Sequence, residues 1–174
     1  MGITMRNWVG VFALTTLVIF LAAFAHKEPE YQVEFPAGWE IGPKDASGLV
    51  TGKPAGGSDG GVNCNAYVVD RESITGSQKT LNDLYGVPIS VEAWNSFLST
   101  EPEDTKISER VAVEIDGKFL QIATVELISK DAEARIGFIV TPGRIFDAGC
   151  YARRGSFERH KAVFEKIVRS LRPF

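Results

Sequence analysis

Apolar and polar positions divide the chain into two unequal parts. From Trp8 to Ala25 the sequence is uncharged and apolar, broken only by Gly10, Thr15 and Thr16. Such a run predicts one N-terminal hydrophobic helix, long enough to cross a hydrocarbon core of about 30 Å. Arg6 precedes it, and Ala23-Phe24-Ala25 puts small residues where a signal peptidase would cut before His26. Residues 1–25 therefore read as a signal peptide or an uncleaved membrane anchor, with residues 8–25 as the membrane tether in the second case. Either way Arg6 holds the N-terminus inside, and the remainder is expected to be exported, periplasmic or extracytoplasmic, or held at the inner membrane. The absence of a cysteine at the end of the run excludes a lipoprotein anchor.

Beyond residue 25 the pattern becomes periodic. Tyr31, Val33 and Phe35 alternate with Gln32 and Glu34, predicting a strand; Pro36-Ala37-Gly38 predicts a turn and Trp39-Glu40-Ile41 a second strand. Gly42 to Gly61 is dense in glycine and proline and is expected to be a turn-rich hairpin or flexible loop, followed by a strand containing Cys64. Gln78–Tyr85 and Ser90–Leu98 predict helices separated by Gly86-Val87-Pro88. Ser90 is the N-cap of the second, and Val91, Trp94, Phe97 and Leu98 lie on one of its faces. Glu101 to Asp104 then forms an acidic loop.

A meander follows. Val111, Val113 and Ile115 alternate up to Asp116-Gly117, a strong hairpin signal. Lys118 to Lys130 is apolar on both faces, as expected of a strand in the middle of a covered sheet. Two further strands, Ala134–Thr141 and Arg144–Ala152, are joined by Pro142-Gly143. The chain closes with a helix capped by Ser156, with Phe157, Phe164, Ile167, Val168 and Leu171 in one stripe, and Pro173 stops it. The order predicts an α+β fold: a mainly antiparallel sheet with the central helices on one face and the terminal helix on the other.

Residues 26–174 match the usual length of one domain, and no second long apolar run divides them. The formal net charge is −3, and Arg6 is the only charged residue among the first 25, so the exported part is more acidic still. This argues against a nucleic-acid partner. Arg144, Arg153, Arg154 and Arg159, with Arg135 nearby in sequence, are candidate contacts for an anion or a partner; the alternative is a solvated rim of arginines. Cys64 and Cys150 are the only cysteines and are expected to form a disulfide, since each lies on the apolar side of an alternating segment. The alternative is a redox or nucleophilic thiol, but the two are not in a C-x-x-C motif.

Catalytic signatures are sparse. His160 reads as a helix-surface residue, while His26, as a mature N-terminus, would offer an amine and an imidazole to copper. Apart from that copper site no metal is expected, and no cofactor. Gly52-Lys53 resembles part of a phosphate loop, but Ser47 and Pro54 occupy the positions that require glycine and a hydroxyl residue. The glycines there are better assigned to turns. Among the aromatic residues Trp94 and Tyr151 are expected in the core, whereas Trp39, after a proline-glycine turn, is a candidate partner contact.

Phe35-Pro36-Ala37-Gly38-Trp39, the helix containing Trp94, and Val168-Arg169-Ser170-Leu171-Arg172-Pro173 together resemble PsbP-type domains, a family that includes photosystem extrinsic proteins and exported bacterial relatives of the DcrB type. The resemblance spans about residues 30–174. It implies an α/β/α sandwich and a non-enzymatic accessory or assembly role, exercised through contacts with a membrane or periplasmic protein complex. No metal-binding or partner-binding residue of that family carries over position by position. The alternative expectation is a periplasmic protein that binds a small molecule or anion, through the arginines or through a cleft between sheet and helices.

Overall fold

The computed structural model describes residues 24–27, 30–45, 48–57 and 60–174. Its strands are β1 (Phe24–Lys27), β2 (Tyr31–Phe35), β3 (Trp39–Ile41), β4 (Val50–Pro54), β5 (Asn63–Asp70), β6 (Thr105–Ile115), β7 (Lys118–Leu127), β8 (Ala132–Thr141), β9 (Arg144–Arg153) and β10 (Arg172–Pro173). The helices are α1 (Gln78–Tyr85), α2 (Val91–Leu98) and α3 (Arg154–Arg169). The expected signal or anchor lies outside the described residues, except that Phe24 and Ala25 belong to β1, opposite Phe35 and Glu34 of β2. Among the described residues no helix is long and apolar enough to cross a membrane.

Seven strands form one antiparallel sheet in the order β3-β4-β5-β9-β8-β7-β6. Its central strands carry apolar side chains on both faces, so both faces need cover. Leu120, Ile122, Ile139, Phe146 and Ala148 pack against Phe157, Phe164, Ile167 and Val168 of α3. Ala123, Val125, Ile136, Phe138 and Val140 form the opposite core with Leu81 of α1 and Trp94 of α2. The sandwich expected from the sequence is thus present. Ser90 caps α2 as expected, accepting a hydrogen bond from Ala93 N at 3.2 Å, and Ser77 caps α1 in the same way through Thr80 N.

A second sheet, β1-β2-β10, covers the rest of the α3 face and was not foreseen. Pro173 does end the helical course, but the chain then pairs with β2, and Phe174 N donates to Glu30 O at 3.0 Å. Tyr31, Val33 and Phe35 of β2 are buried in the same core as α3. The expected loop from Gly42 to Gly61 contains β4, which pairs with both β3 and β5. Gly52 lies inside that strand rather than in a turn, because the Phe35 ring occupies the space a Cβ would need.

Other boundaries also move. Helix α3 begins at Arg154, so Ser156 is not its cap; it is buried in the first turn and donates to Arg153 O at 3.2 Å and Gly60 O at 3.4 Å. The strand from Lys118 ends at Leu127, and Ile128–Lys130 forms a 3-10 turn. The acidic segment is likewise a 3-10 turn, Pro102–Asp104.

Cys64 and Cys150 face each other across β5 and β9 and form a disulfide. Gln121, 1% exposed, holds the other face together: its Nε2 donates to Tyr85 O and Val87 O at 2.5 and 3.1 Å, and its Oε1 accepts from Ile89 N at 3.1 Å. These bonds tie the α1–α2 connection to β7.

Close approach of α3 to the sheet depends on Gly137, where a Cβ would lie 2.5 Å from Val168 Cγ1 and 3.1 Å from Gln121 O. Gly137→Ala is therefore expected to lower the free energy of unfolding by about 1–3 kcal/mol, the usual range for overpacking. Urea unfolding measures this; an unchanged midpoint would mean that α3 does not bear on the sheet at this residue.

Candidate functional site

The arginines marked in the sequence do not form one cluster. Arg144 and Arg153 begin and end β9, and at about 3.3 Å per residue this separates them by about 30 Å. Arg144 pairs with Asp70 at 3.1 Å and Glu30 at 3.4 Å. At the other end Arg154 pairs with Glu126 at 2.7 Å, while Arg153 and Arg159 are exposed at the start of α3. Only these last three are near one another. Trp39 stacks on Phe35 with ring centroids 6.2 Å apart and is half-buried against the α3 core.

Arg135 is buried instead, 5% exposed on the α3 face. Its Nε donates to Glu165 Oε2 at 2.6 Å, and one terminal nitrogen donates to Thr124 Oγ1 at 2.9 Å and to Glu109 O at 3.2 Å. Lys161 Nζ reaches Glu109 Oε1 at 2.6 Å, and Arg169 pairs with Glu165. Burial alone would raise the Glu165 carboxyl, but the hydrogen bonds from Arg135 and Arg169 outweigh it and hold the group below its ordinary range. A guanidinium satisfied in this way is structural and is not free for an anion.

His26 lies in β1 opposite Val33, and His160 stacks on Phe164 in α3 with centroids 5.8 Å apart. Among the described residues no group of three His, Cys, Asp or Glu side chains is placed to hold a metal.

The group that the sequence reading passed over is Asp147. It sits in the middle of β9 on the α1–α2 face, with Tyr67 of β5 on one side and Phe138 of β8 on the other. Only 3% of it is exposed, yet no hydrogen bond or ion pair reaches its carboxylate among the described residues. Together with Tyr67, Val69, Arg71, Phe97 and Ile145 it lines a cleft of about 180 Å³ between the sheet and α2. Gly149, two residues along, makes room for Tyr151: a Cβ there would lie 2.9 Å from the Tyr151 hydroxyl. One carboxyl and two phenols are thereby gathered on one strip of sheet.

Their electrostatics follow from burial. Loss of water pushes the Asp147 carboxyl up to about 7. Burial, and then the nearby Asp147, push the Tyr67 phenol up to about 12, with Arg71 pulling it back. The same two causes, followed by Tyr67, raise the Tyr151 phenol. The signal in the sequence was a single acidic residue in an otherwise apolar stretch, Ile145 to Ala152.

No protein-family model and no curated protein matches the sequence. Among solved structures the chain is similar to the solution structure of cyanobacterial PsbP (CyanoP) from Synechocystis, at 14% identity over 95% of this chain and 100% of that one, with a TM-score of 0.57. A crystal structure from Bacteroides thetaiotaomicron is matched at 12% identity over 83% of this chain and 45% of its own, with a TM-score of 0.41, too distant to bear on the argument. The first likeness establishes a PsbP-like fold, in agreement with the resemblance read from the sequence.

The pH dependence of stability has a definite sign. The folded carboxyl of Asp147 is raised to about 7 from 3.8, so between these values the native state holds a proton that the unfolded chain releases. Its contribution to stability is lost as pH rises through this window, and the ionised form costs on the order of 4 kcal/mol above it. Asp147→Asn should match the wild type at about pH 4 and exceed it in stability at about pH 8. Urea unfolding of both proteins across this range measures the difference; parallel profiles would show that Asp147 is well solvated or paired.

Proposed function

We propose that this PsbP-like domain is a non-enzymatic, extracytoplasmic accessory or assembly factor that acts through protein contacts near a membrane. The observation that carries the reading is the likeness to cyanobacterial PsbP over nearly the whole of both chains. The disulfide supports the compartment, because such bonds persist outside the reducing cytoplasm. The apolar N-terminal run supports export and, if uncleaved, a tether. A metal, a cofactor and nucleic acid have no part in this reading.

The contact surface we assign is an apolar groove of about 410 Å³ between Glu34–Ala37 and Val163, Lys166 and Ile167 of α3. Phe35, Pro36 and Ala37, part of the motif that carries the family resemblance, line it. A second reading, binding of a small molecule, is supported by one observation, the cleft that Asp147 lines with its carboxylate unpaired among the described residues.

Crosslinking in the native host followed by purification tests the first reading. The domain should recover one membrane complex in near-stoichiometric amount, and Ala37→Arg should lose it while leaving the melting temperature unchanged. Recovery of the domain alone, or capture indifferent to the substitution, would contradict contact through this groove.

A further inference from the structure

Three features of the Asp147 cleft ask for a bound group. A carboxylate 3% exposed has no hydrogen-bond or ionic partner among the described residues, and burying such a group unpaired is costly. Arg71, which lines the same cleft, is exposed, and its guanidinium makes no ion pair among the described residues. No ion pair joins Arg71 to Asp147 among the described residues, so the arginine does not neutralise the carboxylate. The cleft thus has an unpaired negative group inside and an unpaired positive group at its mouth.

We infer that the cleft binds a small zwitterionic amine, of which a free α-amino acid with a short apolar side chain is the simplest case, with its ammonium against Asp147 and its carboxylate toward Arg71. This names the ligand class for the second reading above and rests on it. An ammonium has three donors; the Asp147 carboxylate and the Tyr67 phenol oxygen are acceptors that line the cleft, and the Tyr151 phenol lies over Gly149 on the same strip. The Phe97 and Tyr67 rings add the aromatic faces that favour a cation. Val69 and Ile145 supply apolar wall for the side chain.

Size is consistent with this. A cavity of about 150 Å³ holds a six-carbon ring, and this cleft measures about 180 Å³. A divalent metal ion is a poorer fit, since it wants six or more oxygen ligands or several His, Cys and carboxylate groups. Here one carboxylate and two phenols are gathered. A free anion is disfavoured by the buried carboxylate itself.

The test uses three matched probes with the purified protein: L-valine, isobutylamine, which lacks the carboxylate, and isovalerate, which lacks the amine. Isothermal titration at about pH 8, where Asp147 is ionised beside Tyr67, Tyr151 and Arg71, should show valine binding at least about tenfold more tightly than either analogue. Asp147→Asn should weaken valine by about tenfold or more although its melting temperature at this pH is no lower than the wild type's, and Arg71→Gln should weaken valine but not isobutylamine. If isobutylamine binds as tightly as valine and depends on Asp147, the cleft remains a ligand site but the zwitterion is wrong. If no probe binds at about 10 mM, the zwitterion is likewise wrong, and a wider ligand panel giving no Asp147-dependent thermal stabilisation would overturn the ligand-site reading itself.

Discussion

The structure depends on burying its central strands, β7, β8 and β9, on both faces at once. A sheet with two apolar faces must be covered twice, and that requirement places α3 on one side and the short helices α1 and α2 on the other. The cover is unequal. Helix α3 is sixteen residues long and is aided by the second sheet, whereas α1 and α2 have eight residues each and are anchored by Gln121. The thinner cover leaves a cleft over β5 and β9.

The same constraint explains how the two buried charged residues of the central strands differ. Arg135 and Asp147 lie on opposite faces of neighbouring strands. Beneath α3, Arg135 meets Glu165, Thr124 and the backbone of Glu109, so its desolvation is offset by directed bonds. Beneath α2, Asp147 meets two phenols and several apolar walls, and among the described residues no hydrogen bond or ion pair offsets its burial. A satisfied ion pair reads as architecture; a carboxyl left unsatisfied beside a cleft reads as a place for something else. The PsbP-like fold supplies the frame, while the site is a property of these particular residues.

Most of the frame was legible in the sequence because it is written in local periodicity. The alternation around Val113, the Asp116-Gly117 turn, the stripe on α3 and the Ser90 cap each predict an element that is present. The disulfide was legible because alternation placed both sulfurs on apolar faces. What escaped depends on contacts distant in sequence. Strand β4 was hidden by glycine, since Gly52 is dictated by the ring of Phe35 and not by a turn. Strand β10 consists of two residues and is defined only by its partner β2. Ser156 resembled a cap, but its hydroxyl bonds Gly60, far away along the chain. The site was least legible: the spacing of arginines along the chain suggested a cluster that a strand of ten residues pulls apart, and Asp147 acquires meaning only when Tyr67 and Tyr151 are brought beside it.

Everything inferred of the cleft rests on Asp147 being a desolvated carboxyl with no hydrogen-bond or ionic partner among the described residues. Direct titration of its side-chain carbon by nuclear magnetic resonance, in the intact disulfide-bonded protein, tests it. The account predicts a midpoint near 7, with the carboxyl protonated in mildly acidic solution. A midpoint close to the ordinary 3.8 would contradict it, because the carboxyl would then be solvated or paired, and the cleft would have no unmet charge for a ligand to answer.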